Sequence, residues 1–190
     1  ILVLLVNRFR RFREYLFRSL LRPYNFYADI RDQRIMSSIQ TVLLGVVLSI
    51  TLGIFYSSIF YFYRTHLLAE YVYMLIIPDN SVQEIFFRLI WMPELLMLFV
   101  SAVVFIILII TALIIKIFAF FVRARIFYKD TFTITVWSSV PVLILLPLAI
   151  ILIRLLVLSE SLNWLIIILA VLLHLWVFIR ILKATSVVFD

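Results

Sequence analysis

Four stretches run almost free of charge through this chain, at about 39–63, 95–116, 132–157 and 162–182, and each is long enough to matter. A helix needs roughly 20 apolar residues to cross about 30 Å of hydrocarbon, whereas a barrel strand needs only about 10 of alternating character. The runs therefore predict transmembrane α-helices and exclude barrel strands. Apolar residues make up 66% of the 190 and charged ones 14%, with a mean hydropathy of +1.23. A soluble domain is about half apolar and a quarter charged, so no soluble fold of this size hides that much apolar surface. The expected fold is an all-α integral membrane protein: a bundle of four transmembrane helices with amphipathic interfacial helices. One membrane domain is expected over 38–190, preceded by a basic interface segment over 1–37. The chain has no cysteine, which removes disulfides, thiolate metal sites and lipidated cysteine anchors. If the apolar Ile1 to Val6 is the tail of an earlier span, the helix count rises by one.

The formal charge of +7 records orientation through the excess of Lys and Arg on the cytoplasmic side. Arg8, Arg10, Arg11, Arg13, Arg18, Arg22, Arg31 and Arg34 precede the first run. Arg123, Arg125 and Lys129 lie between the second and third, and Lys183 follows the fourth. The opposite loops hold only Arg64, Arg88 and Arg154, beside acidic Glu70, Asp79, Glu84 and Glu160. Both termini are expected to be cytoplasmic.

Between Asn7 and Arg22, Phe9, Phe12, Leu16 and Leu20 recur at helical spacing among arginines. That pattern describes a basic helix in the headgroup region, either binding anionic lipid through Arg8, Arg10, Arg11, Arg13, Arg18 and Arg22 or simply anchoring the topology. Leu67, Leu68, Tyr71, Val72, Leu75 and Ile76 repeat likewise, in a segment too short to cross, so 66–92 is expected to lie on the outer interface. Ser81 and Glu84 read as a capping box, opening a helix that runs into the second span with a kink at Pro93.

Inside the spans the polar residues are few. Gly45, Ser49, Gly53 and Ser57 share one face of the first run, with Thr41 extending the row. Small residues let another backbone approach, so this face is expected to meet protein, either the chain's own helices or another subunit. The third run holds Ser138, Ser139, Pro141 and Pro147. Prolines free carbonyls that must find donors in hydrocarbon, which marks either a bent packing helix or a hinge beside a transporter cavity. His174 sits near the middle of the fourth run and could ligate a cofactor or hydrogen-bond a neighbouring helix. Arg154, Arg180 and Lys183 are expected to snorkel to the interfaces, and Lys116 to cap the second span.

No HExxH, GxSxG or phosphate loop occurs, nor a close carboxylate pair inside a span, so neither an enzyme nor a resident cofactor or metal is expected. The basic amino terminus suits a membrane surface better than nucleic acid. Phe127 to Thr135, then Trp137 to Pro141, a polar break at Ser159 to Asn163, and the ending Trp176 to Ala184 resemble the Yip/Yif family of small polytopic membrane proteins, especially its bacterial members. Arg22-Pro23-Tyr24 before the first span is similar too. The family's eukaryotic members are associated with Rab GTPases and vesicle traffic, but their soluble-side motifs are not seen here. The resemblance implies a non-enzymatic component of a bacterial inner membrane and transfers no catalytic residue. The expected role is a structural or organising subunit of a larger membrane assembly, contacting lipid and other membrane subunits. The alternatives are a transporter component built on the broken third span and an electron-transfer subunit binding a cofactor through His174.

Overall fold

The computed structural model describes residues 6–7, 9–32, 37–124, 126–147 and 163–189, and among them there is helix and no strand. A short basic pair comes first, α1 (Arg10–Leu21) and α2 (Pro23–Arg31). Helix α3 (Ser38–Phe62) ends in a 3₁₀ turn at Tyr63–Thr65 and leads to α4 (Leu67–Ile76) and α5 (Asn80–Ile90). Then come α6 (Pro93–Phe121), α7 (Tyr128–Ser138) with a 3₁₀ continuation at Val140–Ile144, and α8 (Asn163–Phe189). Four stretches, Ser38–Thr65, Pro93–Phe121, Tyr128–Pro147 and Ile166–Phe189, are long and apolar enough to cross a membrane. They overlap the four expected spans but end elsewhere. The second half of the expected third span, the start of the fourth, Arg154 and nearly all of Ile1 to Val6 lie outside the described residues.

The ends differ for local reasons. Helix α6 runs on past Lys116 to Phe121, so that lysine does not cap the span; its Nζ donates to the Ile126 carbonyl across the turn. Termination comes from Arg123 at φ 60°, with Arg123 N–H bonding Phe120 O and Ala124 N–H bonding Ala119 O. This paired closure is usually built on glycine, and an arginine there carries no sequence signal. The box expected at Ser81 is displaced upstream. Asp79 caps α5, its carboxylate accepting from Ser81 N at 2.8 Å and Val82 N at 3.1 Å, while Glu84 pairs with Arg88 at 2.6 Å. Nor does Pro93 kink a continuous helix: α5 stops at Ile90, and Pro93 opens α6 in its first turn, where the missing N–H costs nothing.

Helices α3 and α6 pack antiparallel along the small-residue face, the most extensive helix contact among the described elements. Helix α7 lies against both, and α8 closes the bundle against α7 and α2. The outward faces of α6 and α8 expose Leu98, Ile106, Ile110, Val171, Leu172 and Leu175, as helices bathed in lipid do. At the end away from α1, the pair α4 and α5 exposes Leu67, Tyr71, Leu75, Ile76 and Ile85 but turns Tyr73 inward against Phe60 and Phe86, with ring centroids 5.8 and 5.5 Å away. Apolar residues facing outward at helical spacing suit an interfacial segment.

Candidate functional site

The break in the third span organises a buried polar cluster that joins α1, α2, α7 and α8. Pro141 has no N–H, and Val142 N–H turns to Ser139 O at 3.0 Å, so the Ser138 carbonyl is left without a helical donor. Arg180 of α8 supplies one: its Nε donates to Ser138 O at 3.2 Å and its Nη2 to Ser19 O of α1 at 2.6 Å. Arg180 is only 5% exposed, so it does not snorkel as expected. It lies on the inward stripe of Leu173, Val177, Ala184 and Val188, which directs the guanidinium into the protein. A buried cation is tolerable only when its donors are engaged. Here two backbone carbonyls from separate segments do that.

Around this cation the basic pair is docked. Tyr27 of α2 bonds the Ser138 hydroxyl at 2.8 Å, and burial raises its hydroxyl above the ordinary phenol value while Ser138 and Arg180 oppose the rise. Trp137, fully buried, donates Nε1–H to Thr41 Oγ1 at 3.2 Å. Its ring meets Phe26 at 5.2 Å, Phe12 at 5.5 Å and Tyr15 at 6.5 Å. The apolar stripe on α1 thus faces protein: Phe12 is buried and Leu16 and Leu20 are half-buried, while Phe9 stays exposed. Arg10, Arg11, Arg13 and Arg22 point outward, Arg18 pairs with Asp29 at 2.5 Å, and Arg8 lies outside the described residues. Removing the cation tests the docking. In Arg180→Met, Ser138 O and Ser19 O lose their donors, at about 1–3 kcal/mol for each buried group. Limited proteolysis between α2 and α3 is expected to quicken in that variant, and unchanged cleavage would argue against the latch.

The other expected residues separate into two groups. Gly45, Ser49, Gly53 and Ser57 are buried against the chain's own helices. A β-carbon on Gly45 would sit 3.4 Å from Val136 and 3.5 Å from Phe105; one on Gly53 would lie 3.0 Å from Met97 O and 3.1 Å from Ser101 Cβ. Ser49 donates to Gly45 O at 2.9 Å and Ser57 to Ile54 O at 3.2 Å. In the second group, His174 faces α3, where its Nε2 lies 2.9 Å from the Tyr56 hydroxyl and its Nδ1 2.7 Å from Ala170 O. A carbonyl only accepts, so Nδ1 carries the proton and the tyrosine donates to Nε2. Both ring nitrogens are thus engaged within the protein. Ser139 lies near this pair with its hydroxyl donating to Thr135 O at 2.9 Å, Pro141 is buried, and Pro147 is exposed.

Sequence reasoning placed Arg180 at the interface and missed Tyr56 and Ser19. Arg180 was legible as a member of the inward stripe, but its partners are carbonyls from α1 and α7, which no spacing pattern encodes.

The family model described as the Yip1 domain matches residues 17–190, which takes in the end of α1, all of α2, every candidate span, and Arg180 with Ser19 and Ser138. No curated protein and no solved structure matches the chain. With a match over nearly its whole length, from the middle of α1 through α8, this multi-pass membrane chain belongs to the Yip1 domain family.

Proposed function

We propose that this protein is a non-catalytic organising subunit of a larger membrane assembly, presenting a basic helix pair to the anionic headgroups of the cytoplasmic leaflet. The observation that carries this reading is the docking of α1 and α2 through Trp137 and Arg180, which spends the apolar stripe on the bundle and turns Arg10, Arg11, Arg13 and Arg22 outward. A surface built that way holds its charges in fixed positions. The distribution of Lys and Arg between loops supports cytoplasmic termini, and the family resemblance supports a bacterial inner membrane.

Anionic lipid is the testable partner. An arginine near an anionic surface contributes about 1 kcal/mol. In mixed micelles the protein is expected to prefer fluorescent phosphatidylglycerol over phosphatidylcholine, and the quadruple change of Arg10, Arg11, Arg13 and Arg22 to Gln is expected to abolish the preference. A preference that survives all four changes would remove the lipid-facing role. The assembly role has its own check: in mild detergent, other membrane subunits are expected to stay bound, and a lone monomer would count against it.

A polar-solute transporter is supported less. The hydroxyls of Ser139, Thr135 and Thr111 each donate to a carbonyl of their own helix, at 2.9, 2.9 and 2.8 Å, so their protons are already spent.

A further inference from the structure

Beside the Tyr56–His174 pair the bundle encloses a cavity of about 560 Å³ between α3, α6, the broken third span and α8. Such a volume falls within the roughly 300–1,000 Å³ of ligand-binding pockets. Its deep wall includes Leu48, Leu108 and Val142, all buried, and its mouth includes Phe99, Val103 and Ile107, which are 49%, 37% and 53% exposed on α6. The mouth therefore opens sideways along one face of α6, within a candidate membrane span, toward hydrocarbon.

Two simple alternatives are unfavourable on physical grounds. An empty space this large leaves its lining atoms without dispersion partners along one side. Water needs two to four polar partners to be held in a cavity; here the Thr111, Thr135 and Ser139 hydroxyls already donate to their own helices and can only accept, and both His174 nitrogens are engaged, so water finds few partners in a largely apolar lining. The remaining lining is aliphatic and aromatic. What lies outside the mouth, by contrast, is apolar and at high concentration. We propose that this cavity is a binding site for one acyl chain of a membrane phospholipid, which enters alongside α6 past Phe99, Val103 and Ile107 and reaches Val142 at the break of the third span. The hydrogen-bonded Tyr56 and His174 form its one rigid polar wall.

The site rests only on the membrane placement of the spans and is independent of the organising role. The test uses the full chain reconstituted in phosphatidylcholine vesicles containing phosphatidylcholine with a diazirine at mid-chain. Irradiation followed by peptide mass spectrometry is expected to place label on Leu48, Leu108 and Val142, which lipid around the protein does not touch, as well as on exposed Ile110. Label confined to exposed residues overturns the site. So does label delivered by a free diazirine fatty acid but never by the phospholipid. Filling the space with Val104→Trp is expected to abolish label on Val142 and leave Ile110 unaffected. Should that variant misfold, Val100→Phe, lining the same cavity, serves in its place, and the wild-type labelling pattern decides the question without either.

Discussion

Trp137→Ala is expected to be the most damaging single truncation in the protein, costing about 3–5 kcal/mol as large buried aromatics do. The indole is wholly buried and central to the docked basic pair, with Phe12, Tyr15 and Phe26 around its ring. Its loss opens a cavity that three rings from two helices would have to close together, and it removes the donor to Thr41. Both α1 and α2 should therefore loosen. Equilibrium unfolding in mixed dodecyl maltoside and SDS micelles measures the cost. Trp176, 45% exposed on α8, is the control, because its truncation removes little packing. If the two variants lose the same stability, Trp137 is not the keystone described above. A cycle with Phe12→Ala should show non-additivity, since neighbouring rings share one cavity.

The second large effect distinguishes the two glycines. Gly53→Ala is expected to destabilise by about 1–3 kcal/mol, the usual cost of overpacking, and Gly53→Leu to prevent assembly of α3 with α6. The new β-carbon would meet a backbone carbonyl, Met97 O, at 3.0 Å and Ser101 Cβ at 3.1 Å, neither of which is the free end of a flexible chain. It would also collide with Ser101 Oγ, so adding Ser101→Ala should recover part of the loss. Gly45→Ala should behave differently. Its β-carbon meets side chains at 3.4–3.6 Å, an ordinary contact, and alanine favours the helix over glycine by about 1 kcal/mol. Thermal scans of the two alanine variants in one detergent compare them directly. Equal shifts would mean that the close approach at Gly53 does not hold the helices together.

Spans were legible in this chain because hydropathy is a sum over about 20 residues and tolerates local exceptions. Helix ends are set by single conformations, and there the reading slipped. With both glycines inside α3, the usual stop signal was absent, and Arg123 took the left-handed position instead. Asp79 outcompeted Ser81 as a cap because a carboxylate accepts two backbone N–H groups at once. At the far end Lys183 suggested a boundary, yet α8 continues to Phe189 with Ala184 and Val188 packed inward. That extension is why Arg180 sits within the bundle rather than at its rim. The small-residue row was readable as protein-facing, but Gly45 and Gly53 alone did not say which helix would face them. The Tyr56–His174 bond joins residues 118 apart, and nothing at either position announces the other.

The latch at Arg180 also has a consequence in time. Ser19 and Arg180 are 161 residues apart, and Tyr27 and Ser138 are 111 apart, so α1 is tied to the much later α8 and α2 to α7. At about 5–20 residues per second of synthesis, α1 leaves the ribosome roughly 8–30 s before its arginine partner exists. For most of that interval, until Trp137 and Ser138 are made, Phe12, Phe26 and Tyr27 lack the partners that cover them. An amphipathic helix can rest on a membrane surface, so the stripe of α1 is expected to act first as a float and, once Trp137 exists, as a lid.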